Sequence, residues 1–547
     1  MTVPEPFTTP DPQAVADSHI MDFARHVGMA GSDYAALHRW SVTDLAGFWG
    51  AVWEYFDIDA DTPYEQVLAE EGMPGARWFP GATLNYAHHA LRNLADDAVA
   101  IIALDETGSG YEVTARRLRA QVASVAATLR DLGVGKGDRV VGYLPNTPHA
   151  IVAFLAAASL GAVWSVCGQE YAPKAAADRF AQLRPTVLIG ADGYLFNATT
   201  HDRREATLEL AGALPTLKAT VLVDHVGLPW PSKAYPSLVV PWEDAATRAE
   251  ELTCTPLPFD HPLWVVYSSG TTGLPKGIVH GHGGVLLEHL KTLGLHSDLG
   301  PGDRLSGGTD VVSGFAGSAP NTPVWAGELS APQLGVALAA YDAEGFPIVD
   351  QGGELVVTRP MPSMPLYFWN DPDGTRYRDA YFSSYPGVWR HGDWITVTGR
   401  GSVIVHGRSD STLNRNGVRL GSADIHDVVE RLPEITEALV IGAEEPDGGY
   451  WMPLFVVLAA GVTLDDPLRE KIKEAIRAGA SPRHVPDEIL EVPGIPHTRT
   501  GKKLEVPVKR LLQGAPAEQV VNPATVDAPD LIDHYARLGA ERRGRSA

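Results

Sequence analysis

From about residue 98, runs of consecutive β-favouring apolar residues alternate with longer stretches in which apolar positions recur every three or four residues. VAIIAL is followed by ARRLRAQVASVAATLRDLG, then DRVVGYL, then a helical stretch from Pro148. Unbroken apolar runs suit strands buried on both faces, and the helical period between them suits crossovers. The pattern therefore predicts an α/β sandwich with largely parallel strands. IVAFLAAASLGAVWSVC, from Ile151, is interrupted by Ser159 and Gly161 and falls short of a membrane span; it predicts a buried helix followed by a strand. Upstream, Trp40 to Phe56 carries apolar residues at helical spacing, and RWFPGATLNYA from Arg77 predicts a loop leading into a helix. A change comes near residue 408, after the short β-rich segments WITVTG and SVIVHG. Beyond it ALVIGA, MPLFVVLAA and the helical DPLREKIKEAIRAG predict a smaller α+β unit, and the closing ERRGRSA reads as a frayed tail.

Length and charge narrow the class. At 547 residues the chain is long for one domain, so two or more are expected. Lys and Arg number 44 against 67 acidic residues, a net charge of −23, which argues against binding nucleic acid through a broad basic face and for a soluble, cytoplasmic protein, with small anionic ligands needing local basic sites. Cys167 and Cys254 lie far apart with no His or Cys at metal spacing, so neither a disulfide framework nor a zinc site is expected. MTVPEPFTTPDPQ is polar and Pro-rich, unlike a signal peptide, and no membrane association is expected.

One stretch carries chemistry. Residues 267–277 read YSSGTTGLPKG, between the β-favouring HPLWVVY and the helical GGVLLEHLKTLGLH. The expectation is a strand, a flexible hydroxyl-rich loop, then a helix. Lys276 is preceded by Pro275 and followed by Gly277, so the Gly-Lys-Ser/Thr ending of the kinase and GTPase phosphate loop is missing. Backbone N–H groups of a Gly-rich turn, hydroxyl donors and one lysine can still hold a phosphate group. Ser269, Gly270, Thr271, Thr272, Gly273 and Lys276 are the candidates; on its own the loop reads first as an ordinary Gly-rich surface turn.

The loop resembles the phosphate-binding loop of the acyl-adenylate-forming enzymes, the superfamily of acyl-CoA synthetases, luciferase and peptide-synthetase adenylation domains. Three further matches follow in the superfamily's order: SGGTD at 306–310, HGDW at 391–394 with GRSDSTLNRNGVRLG at 407–421, and HTRTGKK at 497–503. MDFARHVG, GIVHGHGGVLLEHLKTLGLHSDLGPGD and GGTDVVSGFAGSAPNTPVWAGELSAPQLG resemble the acetoacetyl-CoA synthetase family specifically, over nearly the whole chain. The resemblance implies a ligase that joins acetoacetate to coenzyme A with ATP and Mg2+ through an acyl-adenylate. It implies a large N-terminal adenylation domain over residues 1–408, a hinge at 409–410 and a small mobile α+β domain over 411–547. By the same resemblance Thr309 meets the α-phosphate, Asp310 helps hold Mg2+, Asp393 accepts both ribose hydroxyls, and Arg408 also reaches the ribose. Asp410 is the hinge, and Lys502 is brought to the α-phosphate during adenylation. Arg419 and Arg477 fall where related synthetases contact phosphate groups, the latter on coenzyme A. The plainer readings are that Lys502 and its neighbour Lys503 are both solvated tail lysines, and that Arg408 and Asp410 form a surface ion pair in a linker.

The chain departs from the pattern once. Only 33 positions separate Lys276 from Thr309, and HSDLGPGDRL passes directly into SGGTD. In the superfamily a long stretch of helices and strands lies between, including an aromatic-rich wall of the acyl pocket and a loop that packs on adenine. An internal deletion after Leu305 is the expectation. It leaves open a ligase for another short acid, or an inactive nucleotide-binding remnant.

Overall fold

The computed structural model describes residues 6–231, 237–267, 275–298, 311–342, 344–409, 413–415, 418–420, 422–444, 450–479, 482–499, 501–521 and 526–546. Its main sheet has eight strands in the order Leu238–Pro241, Ala219–Val223, Val187–Ala191, Arg139–Tyr143, Val163–Cys167, Pro262–Tyr267, Gly277–Gly281 and Tyr367–Phe368. The first six pair in parallel, and the last two are antiparallel additions. Alternate residues serve opposite faces. Val140 and Ile189 join the core under helices Ala115–Asp131 and Pro148–Ser159. Their neighbours Val141 and Leu188 meet Phe180 and Leu183 of helix Pro173–Leu183 on the other side. A sheet covered on both faces needs apolar residues at every position, which is why these strands read as unbroken runs.

The helical spacing from Trp40 to Phe56 is borne out in two helices, Tyr34–Thr43 and Leu45–Tyr55. Asp44 divides them, its carboxylate accepting from Gly47 N at 2.9 Å, because a capping side chain offers the backbone a better partner than continued helix. After the Gly-rich loop the chain enters a strand, Gly277–Gly281, before helix His282–Leu290. The loop therefore closes an antiparallel hairpin with Pro262–Tyr267; the β-branched Ile278 and Val279 fill both faces of the sheet there, one in each core. Residues 541–546 are helical, where a frayed tail was expected. Helix Asp530–Ser546 runs through them, anchored by the buried Ile532 and Tyr535, with Arg543 Nη1 donating to Leu512 O at 2.5 Å and the Arg542 guanidinium 5.0 Å from the Trp451 ring.

The N-terminal helices dock on helix His282–Leu290 and on residues 330–336. Tyr34 Oη donates to Pro332 O at 2.6 Å, and Gly335 N to Ser41 Oγ at 2.8 Å. Beneath them Glu288 and Lys291, both without solvent exposure, form an ion pair at 2.5 Å, with the Lys291 ammonium 5.7 Å from the Trp49 ring. A five-stranded antiparallel sheet follows, ordered Pro347–Ile348, Leu338–Tyr341, Gly352–Val357, Trp389–Val397, Val403–Arg408. The C-terminal part is a three-stranded sheet, Ile435–Val440, Pro453–Leu458 and Glu488–Glu491. Helices Ser422–Val429 and Asp466–Gly479 cover one face, Glu505–Leu512 and Asp530–Ser546 the other. No helix among the described residues is long and apolar enough to cross a membrane.

Candidate active site

The hairpin carries Lys276 just before its second strand. The Lys276 ammonium stands 5.7 Å from the ring centroid of Phe368, and Trp369 N donates to Gly277 O at 2.7 Å, fastening the short Tyr367–Phe368 strand to the hairpin. At the end of the first strand, Tyr267 Oη donates to Arg179 O at 2.7 Å, and the Arg179 guanidinium lies 4.6 Å from the Tyr171 ring. Burial pushes the Tyr267 phenol well above its ordinary range, so it stays a neutral donor.

Asp393 is set by a bulge. Val356 pairs with Arg390 and Glu354 with Trp394, so His391, Gly392 and Asp393 stand opposite Leu355 alone. Gly392 takes the left-handed conformation the bulge requires, φ +88°. On the other side Asp393 pairs with Arg408, which brings the two ribose candidates side by side across 15 positions of chain. A buried carboxylate braces the bulge: Glu354 accepts from Arg390 Nη2 at 3.1 Å and from Ser409 Oγ at 2.9 Å. The motifs did not single out Glu354, although an acidic residue inside the apolar GGELVV run was a visible signal.

An apolar cluster joins these parts. Ile278 beside the hairpin, Val311 next to Asp310, Phe368 beside Lys276 and Trp389 and Ile395 on the Asp393 strand share one buried core. Tyr381 stacks on Trp389 with ring centroids 3.6 Å apart at 15°. The aromatic packing joins the hairpin to the Asp393 strand.

Lys502 and Lys503 are separated by their surroundings. Lys503 Nζ donates to Glu430 Oε1 at 2.5 Å and to Ala438 O at 2.9 Å. Burial acts to raise the Glu430 carboxyl, but the Lys503 ammonium and the Ala438 N–H outweigh it and hold the group below its ordinary range. Lys502 is exposed, with no partner for its ammonium among the described residues. Its backbone is held in a tight turn by Thr498, whose N–H donates to Lys502 O at 2.8 Å and whose Oγ1 accepts from Lys502 N at 3.1 Å.

The remaining candidates divide. Arg477 is exposed on helix Asp466–Gly479, and Arg419 sits on a short strand paired with Asn414. Ser269, Gly270, Thr271, Thr272, Gly273, Thr309, Asp310, Asp410 and the Leu305–Ser306 junction lie outside the described residues. A cavity of about 320 Å³, lined by Trp78, Phe79, Pro258, Gly281, Pro362 and Phe382, opens at the end of the hairpin away from the Gly-rich loop.

Residues 34–90 match the acetyl-coenzyme A synthetase N-terminus family, 88–327 the AMP-binding enzyme family and 424–502 the AMP-binding enzyme C-terminal domain. Acetoacetyl-coenzyme A synthetase of Rhizobium meliloti (strain 1021) is 35% identical, across 98% of this chain and 99% of that protein. Acetoacetyl-CoA synthetase of Gallus gallus is 33% identical, across 94% and 96%. The chain belongs to the acetoacetyl-CoA synthetase family. A solved acetoacetyl-CoA synthetase from Streptomyces lividans superposes with a TM-score of 0.94 at 47% identity, covering 98% of this chain and all of that one. The large N-terminal and small C-terminal domains of the fold are those of this family. Against the Rhizobium synthetase the alignment runs for 655 positions, so this 547-residue chain leaves more than a hundred of them empty.

Proposed function

We propose that the protein is an ATP-dependent acid–thiol ligase that converts acetoacetate and coenzyme A to acetoacetyl-CoA, AMP and diphosphate through an acyl-adenylate. The observation that supports this reading at the residue level is the shared core under the Lys276 hairpin and the Asp393 strand, with Lys502 left exposed on its own turn. A carboxylate is a poor acyl donor. In the first half-reaction its oxygen attacks the α-phosphorus of ATP, the bond to the β-phosphate bridge breaks, and diphosphate leaves. In the second the coenzyme A sulfur, having lost its proton to solvent, attacks the acyl carbon, and the carbon–oxygen bond to AMP breaks. ATP enters as its magnesium complex; the candidate contact, Asp310, was named above.

On this reading Lys276 and the loop hydroxyls Ser269, Thr271 and Thr272 take the β- and γ-phosphates, and Thr309 the α-phosphate. Asp393 accepts the ribose diol beside Arg408. Lys502, a flexible point charge, meets the attacking carboxylate and phosphoryl oxygens. Residues 1–408 form the adenylation domain and 411–547 the part that swings about 409–410, so that one site serves both half-reactions. Acetoacetate-dependent exchange of pyrophosphate into ATP, compared across a panel of short acids, tests the proposal. Exchange led by acetoacetate supports it, and exchange led by another acid or by none refutes it.

A further inference from the structure

The bulge that sets Asp393 places a second side chain two positions away on the same strand. His391 and Asp393 flank the left-handed Gly392, whose carbonyl accepts from Ser409 N at 2.8 Å. His391 Nε2 stands 3.5 Å from Asp393 Oδ2, and the two side chains are 15% and 23% exposed. Phe315 packs edge-on against the imidazole, ring centroids 4.5 Å apart at 65°, and so limits its rotation. Phe315 belongs to the segment that begins at the buried Val311, so the ring is wedged between two strands of chain that both lead to the site.

We propose that His391 is the positioning residue of Asp393. The inference rests on the reading of Asp393 as the ribose acceptor. The terminal torsion of an aspartate is broad, and an unheld carboxylate samples many planes. Two vicinal hydroxyls need one plane, with a lone pair of each oxygen aimed at its own hydroxyl. An imidazole held by Phe315 within 3.5 Å of Oδ2 bounds the carboxylate on that side and limits the planes it can take, leaving both oxygens capacity to accept from ribose. His391 touches no reacting atom in this account; it acts through Asp393 on nucleotide affinity.

The test titrates the full-length protein with ATP and with 2′,3′-dideoxyATP, calorimetrically, in four forms: parent, His391→Ala, Asp393→Ala and the double variant. His391→Ala is expected to weaken ATP about three- to tenfold, the worth of an ordinary polar contact, and to leave the dideoxy nucleotide within about twofold. In turnover the ATP KM rises and kcat holds within about twofold, because the ribose contact is made equally in ground and transition states. In the Asp393→Ala background, removal of His391 adds nothing. His391→Gln, which carries an N–H to a similar reach, recovers most of the ATP affinity. Losses that are equal for both nucleotides, or that add in the double variant, overturn the inference and leave the ribose reading standing. If Asp393→Ala binds ATP as the parent does, the ribose reading falls and the inference falls with it.

Discussion

Lys502 and Lys503 are adjacent in sequence, yet replacing each by Ala is expected to break different things. Lys503 Nζ holds Glu430 Oε1 at 2.5 Å and Ala438 O at 2.9 Å, with the Lys503 side chain 21% exposed and that of Glu430 34%. Without it, Glu430 keeps the Ala438 N–H at 2.8 Å, and the Ala438 carbonyl loses a donor. Two partly solvated contacts of this kind contribute about 1–2 kcal/mol, a shift of about 3–6 °C in melting temperature. The loss depends on pH. The Glu430 carboxyl is depressed in the folded protein, so its contribution is present above the ordinary glutamate value of 4.5 and disappears as the pH falls through the lower folded value. The parent and Lys503→Ala should therefore converge in stability on acidification. Lys502 is exposed, and its truncation should leave melting within about 0.5 kcal/mol of the parent. Its loss should instead remove a charge aimed at the adenylation transition state, lowering pyrophosphate exchange about 10²- to 10³-fold. Conversion of supplied acetoacetyl-adenylate to thioester should stay within a few-fold of the parent. The assays are acetoacetate-dependent exchange, thioester formation from the adenylate, and thermal melting of both variants. Equal loss of both half-reactions in Lys502→Ala, or a deeper loss of exchange in Lys503→Ala, would refute the assignment.

Asp410→Pro should show the opposite bias, keeping exchange and losing thioester formation, because proline fixes φ where the swing must occur; thioester formation at the parent rate would place the hinge elsewhere. Inserting the family's intervening segment between Leu305 and Ser306 should raise both melting temperature and acetoacetate-dependent exchange, since it supplies sheet neighbours and substrate walls. Identical melting and exchange with and without the segment would show that the short connection is a working design. Lys291→Ala leaves Glu288 buried with no cation and should cost about 3–5 kcal/mol in urea unfolding, whereas the double variant Glu288→Leu with Lys291→Met should be near neutral. A loss below about 1 kcal/mol in the single variant would mean that the pair is not charged.

Local pattern was enough to determine much of this protein. The strand runs VVGY and VLIGA and the helix ARRLRAQVASVAATLRD declare themselves because each residue's face depends only on its neighbours and on a fixed backbone period. The Gly-rich YSSGTTGLPKG stretch and the turn around Lys502 are likewise contiguous, so their candidate chemistry can be read from residue types at short spacing. What tertiary structure alone decided lies where contacts come from afar. Gly277–Gly281 is too short and too Gly-bounded for its period to separate a strand from the start of a helix, and its pairing with Pro262–Tyr267 and Tyr367–Phe368 settles it. Asp44 ends one helix and starts the next because its side chain folds back on Gly47. The closing ERRGRSA is highly charged, and its order comes from Ile532 and Tyr535 upstream, buried against the Pro453–Leu458 and Glu505–Leu512 elements. Asp393 is aimed by a bulge whose register depends on Glu354 and Arg408 on two other strands. Which of two adjacent lysines is left exposed was decided by Glu430 and Ala438, 73 and 65 positions away. Periodicity reports which face of an element is apolar; only the folded chain determines which distant group that face, or a charge beside it, will meet.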